Sequence, residues 1–155
     1  MAIRRIFKQG EEILNKKCRE VTDFNQRLWT LLDDMRDTVQ EANGAGLAAP
    51  QVGVMRRAAV VLLDNGNFLE IVNPEIVMAE GENEDAEGCL SFPGIFGMVK
   101  RPDKIQVKYQ DRNGQWVIRS AEGFTARAFC HEIDHLNGIC FTSHVTEYIK
   151  PEDIK

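Results

Sequence analysis

The sequence predicts an α+β fold in which antiparallel strands pack around a late helix, with an amphipathic helix nearer the N-terminus. Three observations carry this expectation. Apolar residues recur at helical spacing early in the chain, and two turn dipeptides of hairpin type separate apolar runs in its middle. A second helical segment, containing His131-Glu132-Ile133-Asp134-His135, comes late. Runs of strands followed by a helix, without regular βα alternation, point to α+β. At 155 residues, 43% of them hydrophobic and 28% charged, the chain reads as one domain spanning 1–155 with one sizeable core.

Taken in order, Thr22-Asp23 offers an N-cap, and Leu28, Leu31, Leu32, Met35 and Val39 follow with a period near 3.6 until Asn43-Gly44 stops the helix. The segment Gly44–Gln51 is too rich in Gly, Ala and Pro for regular structure. Ala58–Leu63 reads as a strand, Asn65-Gly66 as its turn and Phe68–Val72 as the return strand. A second hairpin joins Lys104–Gln110 to Trp116–Ala121 around Asn113-Gly114. A helix from about Phe124 to Asn137 ends at Gly138, a residue suited to cap it.

A net charge of −5 offers no basic face for nucleic acid, so no direct nucleic-acid binding is expected. The N-terminus turns polar too early for a signal peptide, and no apolar run approaches the ~20 residues that span a bilayer. A cytoplasmic location without membrane attachment is the expectation. The 4 cysteines form no C-x-x-C pair and read as reduced thiols, with Cys18 and Cys140 as small buried hydrophobes.

The late helix carries the chemistry. Residues i and i+4 lie about 40° apart around a helix and about 6 Å apart along it, so His131 and His135 can reach one metal ion. Glu132 then sits where a general base for metal-activated water belongs. A helix that merely happens to carry two histidines is the competing reading. It is disfavoured because the chain has only 3 histidines and two fall in this register around a glutamate.

A catalytic site usually takes three protein ligands. Where the metzincin pattern would continue to a third histidine stands Phe141, which binds no metal. The downstream glutamate of thermolysin-like enzymes has only Glu147 and Glu152 as candidates, close to the chain end. His144 lies past the helix stop and reads as a surface residue. Cys130 is about 100° around the helix from His131. That leaves Cys89, within Glu87-Gly88-Cys89-Leu90-Ser91, a turn setting from which a thiolate can approach a helix-borne metal.

Three segments now stand in order: Gly44-Ala45-Gly46-Leu47-Ala48-Ala49-Pro50-Gln51, then Glu87-Gly88-Cys89-Leu90-Ser91, then His131-Glu132-Ile133-Asp134-His135. Together they resemble the three motifs of the peptide deformylases. The resemblance extends to Asp34-Met35, Val52-Gly53-Val54, Arg101 with Ile105 and Val107, and Leu136-Asn137-Gly138. It implies removal of the N-formyl group from the initiator methionine of nascent polypeptides, with release of formate. By the same resemblance Cys89, His131 and His135 are metal ligands, and Glu132 is the general acid/base. The Gln51 amide and the Leu90 N–H bind the formyl oxygen, and Gly46 makes a backbone contact to substrate. One divalent ion is implied, Fe2+ foremost, with Zn2+, Ni2+ or Co2+ as substitutes that this donor set also accepts. The implied partners are N-formyl-methionyl nascent peptides and, transiently, the ribosome.

For the methionine side chain, Ala45, Phe124 and Ala128 are the candidate pocket residues. The latter two share a helix face with His131, although core packing is an alternative for Phe124. Three positions depart from the family pattern: Ala45 replaces a larger aliphatic residue, Cys130 a glutamine and Ser143 an aspartate. Asp134 reads as a solvated or supporting carboxylate, and Ile133 and Leu136 as core. A zinc endopeptidase and a structural metal site are the competing functions. A structural site is normally closed by four protein ligands, which this set does not offer.

Overall fold

A computed structural model describes residues 2–150 and 152. An extended N-terminal segment and a 3-10 turn at Glu12–Asn15 lead into α1, Gln26–Glu41. The helix is capped by Asn25, whose side chain accepts from the Leu28 N–H, rather than by Thr22-Asp23. Asn25 alone stands where its oxygen reaches the third free N–H of the first turn. Leu28, Leu31, Leu32, Met35 and Val39 are all buried.

The strands are β1 (Gly46–Ala48), β2 (Ala58–Leu62), β3 (Phe68–Glu80), β4 (Asn83–Cys89), β5 (Phe92–Arg101), β6 (Lys104–Gln110), β7 (Trp116–Glu122) and β8 (Val145–Ile149). Between β7 and β8 lies α2, Gly123–Leu136. One sheet has the order β1-β2-β3-β6-β7, and a second has β4-β5-β8. Each ladder between these strands is antiparallel, and the α+β expectation holds.

Why β2 reads as an unbroken apolar run is plain from the packing. Side chains alternate across a strand, and both faces of β2 are covered. Ala59 and Val61 join Ile71, Val107 and Phe129 on the α2 side, while Ala58 and Val60 join Leu32, Met35 and Leu47 on the α1 side. A strand buried on both faces loses the in-out alternation of a half-solvated one.

Three features depart from expectation. Gly44–Gln51, expected to lack regular structure, contains β1 and a 3-10 turn at Ala49–Val52, because pairing with residues 59–61 of β2 supplies backbone partners that its composition does not predict. β3 continues past Val72 to Glu80, because a register shift between Val72 and Glu75 absorbs Asn73 and Pro74. Asn73 has a φ of 50°, and its side chain exchanges two hydrogen bonds with the Val21 backbone at 2.8 and 2.9 Å. The β4–β5 hairpin and β8 have no counterpart in the sequence-based expectations.

Gly138 ends α2 with a φ of +76°, and a Cβ there would lie 2.8 Å from the backbone of Asn15 and Lys16. Both facts require glycine. On the far side of the sheet, the Trp29 indole N–H donates to the Arg112 carbonyl at 2.7 Å. Arg112 also pairs with Glu70 and Asp33, and Arg36 pairs with Glu70. This ionic cluster is partly solvated, its side chains ranging from 11% to 37% exposed. No helix among the described residues is long and apolar enough to cross a membrane.

Candidate metal centre and active-site cleft

Helix α2 presents His131 and His135 on successive turns with ring centroids 5.0 Å apart. Cys89 is the last residue of β4, at a register shift where it pairs with Phe92 and closes a turn over Leu90 and Ser91. The sequence placed it on a turn; it sits at the strand–turn junction. Its sulfur lies 3.3 Å from His135 Nε2. One donor atom from each of Cys89, His131 and His135 falls within 4.8 Å of the others.

These residues fit a metal ion. Bonds of about 2.3 Å to sulfur and about 2.0 Å to nitrogen at tetrahedral angles place the donors about 3.5 Å apart. Three donors from one thiolate and two imidazoles leave a coordination position open, as catalytic sites require. Among the described residues, Asp134 and His144 pair with each other at 3.3 Å instead of joining the cluster. Cys130 is buried in the core on the sheet side, and burial pushes its thiol up to about 11.

Beneath His131 lies a cluster that sequence reasoning missed. The His131 Nδ1 is 2.9 Å from Glu87 Oε1, which turns Nε2 toward Cys89. Glu87 accepts a bidentate pair from Arg101 at 2.8 and 3.0 Å, and a further bond from Arg127 at 2.8 Å. The side chains of Glu87, Arg101 and Arg127 are only 4–6% exposed. Burial alone would raise the Glu87 carboxyl, but the Arg101 guanidinium and His131 hold it well below the carboxylate range. Arg101 also donates to Asp134 at 2.7 Å, and Arg127 to the Val99 carbonyl at 2.8 Å. A signal was available: Glu87 and Cys89 flank Gly88 on one strand, and positions two apart share a face.

Glu132 is buried beside the cluster. Its Oε1 has no hydrogen-bond partner among the described residues. Its other oxygen faces Gly46, where a Cβ would lie 2.5 Å away, so any side chain at position 46 would displace it. Burial pushes this carboxyl up to about 7, against the pull of His131. A bound cation would act in the opposite direction.

Gln51 is buried in the 3-10 turn Ala49–Val52 that follows β1. Its Oε1 accepts from the Ala48 N–H at 2.9 Å, and its Nε2 donates to Ser91 Oγ at 3.0 Å. Gln51, Leu90, Gly46, Ala45, Ala128, His131, Glu132 and Cys89 all line one cleft of about 520 Å³. Phe124 lines it too, but is 62% exposed at its edge and is not core. Ile133 and Leu136 are buried against the sheet, as expected.

The family model described as polypeptide deformylase matches residues 3–150. A peptide deformylase of Caldicellulosiruptor bescii is 54% identical over 155 residues, covering 100% of this chain and 93% of its own. The crystal structure of a peptide deformylase from Legionella pneumophila superposes with a TM-score of 0.90 at 44% identity, covering 94% of this chain and 87% of that one. A Met-Ala-Ser-bound class I type b peptide deformylase from Acinetobacter baumannii superposes at 0.88 with 35% identity, covering 93% and 99%. The chain therefore belongs to the polypeptide deformylase family and, like these relatives, is an enzyme.

Proposed function

We propose that the whole chain works as one catalytic domain that hydrolyses the N-formyl group from the initiator methionine of nascent polypeptides. The observation that carries this reading is the convergence of Cys89, His131 and His135 beside the buried Glu132 carboxylate at an open cleft. The Met-Ala-Ser held by the A. baumannii relative is the peptide left when a formyl group is removed from formyl-Met-Ala-Ser. Cys89, His131 and His135 hold one divalent ion, Fe2+ in preference to Zn2+, Ni2+ or Co2+, all of which suit a mixed thiolate–imidazole set. When bound, the ion lowers the pKa of water from 15.7 towards about 7 and polarises the carbonyl.

The chain's own groups do the rest. Glu132 takes the proton of the attacking water and returns it to the departing nitrogen. As carbonyl oxygen gains charge, the Gln51 amide and the Leu90 N–H donate to it, one such donor being worth roughly 3 kcal/mol of barrier. Gly46 lets the substrate backbone lie close to Glu132. Ala45, Ala128 and Phe124 receive the methionine side chain, and Ala45 in place of a larger residue widens that pocket. The reaction takes place in the cytoplasm, with transient contact to the ribosome that supplies the substrate.

Formate release from a short N-formyl-methionyl peptide by anaerobically purified, metal-loaded protein tests this. Turnover is expected, and Glu132→Ala should abolish it with metal still bound. A folded, fully metallated protein that releases no formate would refute the reading.

A further inference from the structure

The two donors assigned to the formyl oxygen belong to different parts of the fold. Gln51 stands on the 3-10 turn after β1, and the Leu90 N–H on the turn between β4 and β5. No backbone ladder joins β1 to β4, which lie in separate sheets. Something must set the distance between the donors, because a displacement of about 1 Å at a reacting group can cost about 10²-fold in rate.

We propose that Ser91 is the positioning residue that sets it. Ser91 directly follows Leu90, is 0% exposed, and its Oγ accepts from Gln51 Nε2 at 3.0 Å. One side-chain bond therefore ties the Gln51 carboxamide to the turn that carries the Leu90 N–H. The orientation of that carboxamide follows from its other end. The Ala48 N–H can only donate, so Oε1 must face it, and the NH2 group faces Ser91 and the cleft. Gln51 Nε2 also donates to the Cys89 sulfur at 3.5 Å, which aims its second N–H at the ligand cluster where the formyl oxygen would lie.

The same two residues are tied from behind. The Phe7 N–H donates to the Gln51 carbonyl at 2.7 Å, and the Gln9 N–H donates to the Ser91 carbonyl at 2.8 Å. The N-terminal segment thus bridges the two backbones while the Ser91 hydroxyl bridges from within. A glutamine side chain free of such partners keeps rotamer freedom that would have to be lost on reaching the transition state. The Ala48 N–H and the Ser91 hydroxyl remove it before substrate arrives.

This inference rests on the proposed role of Gln51, and a double-mutant cycle separates the two. With metal content matched to the parent, Gln51→Ala should lower kcat about 10²-fold, as loss of one such donor does. Ser91→Ala should lower kcat about tenfold and leave KM within about twofold, the pattern of an interaction made only in the transition state. Added to Gln51→Ala, it should cost less than about twofold, because Ser91 acts through Gln51. In the metallated protein without substrate, the Gln51 side-chain amide protons should exchange faster with solvent, and the one that donates to Ser91 should shift upfield in its NMR signal, in Ser91→Ala. Full turnover in Gln51→Ala would overturn the role of Gln51 and the proposal with it. A large loss in Gln51→Ala with none in Ser91→Ala, multiplicative losses in the double variant, or unchanged amide signals would each overturn the positioning role alone.

Discussion

Two arginine–carboxylate clusters link distant segments of this molecule, and they are built from the same parts in different solvents. Arg112 grips Glu70 with two nitrogens and Asp33 with one, where water still reaches the side chains. Arg101 grips Glu87 with two nitrogens and Asp134 with one, where Glu87 and Arg101 are almost wholly buried. Exposed pairs contribute about 0–1 kcal/mol because water screens them and side-chain entropy opposes them. Buried pairs are no bargain in stability against apolar residues of the same volume, yet breaking one strands a charge. The difference shows what the buried cluster is for: Glu87 carries the orientation of His131, which the Arg112 cluster has no analogue of.

The largest effect should come from Glu87→Ala. It leaves Arg127 buried without a counter-charge and Arg101 with Asp134 alone, and urea unfolding should show a loss of about 3–5 kcal/mol. Metal affinity, read by chelator competition, should fall about 10–100-fold as the His131 ring loses its partner. A stability loss below about 1 kcal/mol would mean that the two clusters are equivalent.

Replacing the buried set together sharpens the contrast. In Glu87→Leu/Arg101→Met/Arg127→Met no charge is stranded among these three, so stability should return to within about 2 kcal/mol of the parent. Metal affinity should stay as low as in Glu87→Ala. Recovery of both would show that packing alone orients His131.

Asp34 stands between the two cases. Burial would raise its carboxyl, but the Ala2 N–H at 2.7 Å and the Arg4 guanidinium hold it below 3.8. A carboxyl depressed in the folded state stabilises above its unfolded value and loses that contribution as pH falls through the folded one. Asp34→Asn should therefore cost about 1 kcal/mol at pH 7, and the gap to the parent should close below pH 3.8. A gap independent of pH would remove the ionic account. Asp33→Ala, in the solvated cluster, should cost about 0.5 kcal/mol or less, shrink with added salt and leave turnover unchanged.

What could be read from the sequence was what short-range chemistry dictates. The helical register of His131 and His135, and the hairpins at Asn65-Gly66 and Asn113-Gly114, depend on residues a few positions apart. The β4–β5 hairpin escaped because Asn-Glu-Asp-Ala-Glu-Gly-Cys has neither β-branched residues nor alternation to mark a strand. Its stability comes from β5, from β8 and from buried arginines. β3 seemed to end at Val72 because Asn73-Pro74 resembles a stop, whereas a bulge carries the strand through. The cluster around Glu87 escaped for another reason. Its partners are 14, 40 and 44 positions away, and no local pattern links residues at such separations. The Ser91–Gln51 bond, across 40 positions, was hidden in the same way.

The placement of Trp29 has a practical consequence. It and Trp116 are the only 2 tryptophans, and neither lines the cleft. Trp116 is 55% exposed beside Lys108, while Trp29 is anchored through its indole N–H to the β6–β7 turn. Intrinsic fluorescence is therefore a gauge of whether α1 remains docked on that hairpin, with emission that shifts when the indole meets water. It follows the scaffold and not the metal centre. Comparing it with a spectroscopic probe at the metal would show whether the centre comes apart before the scaffold does.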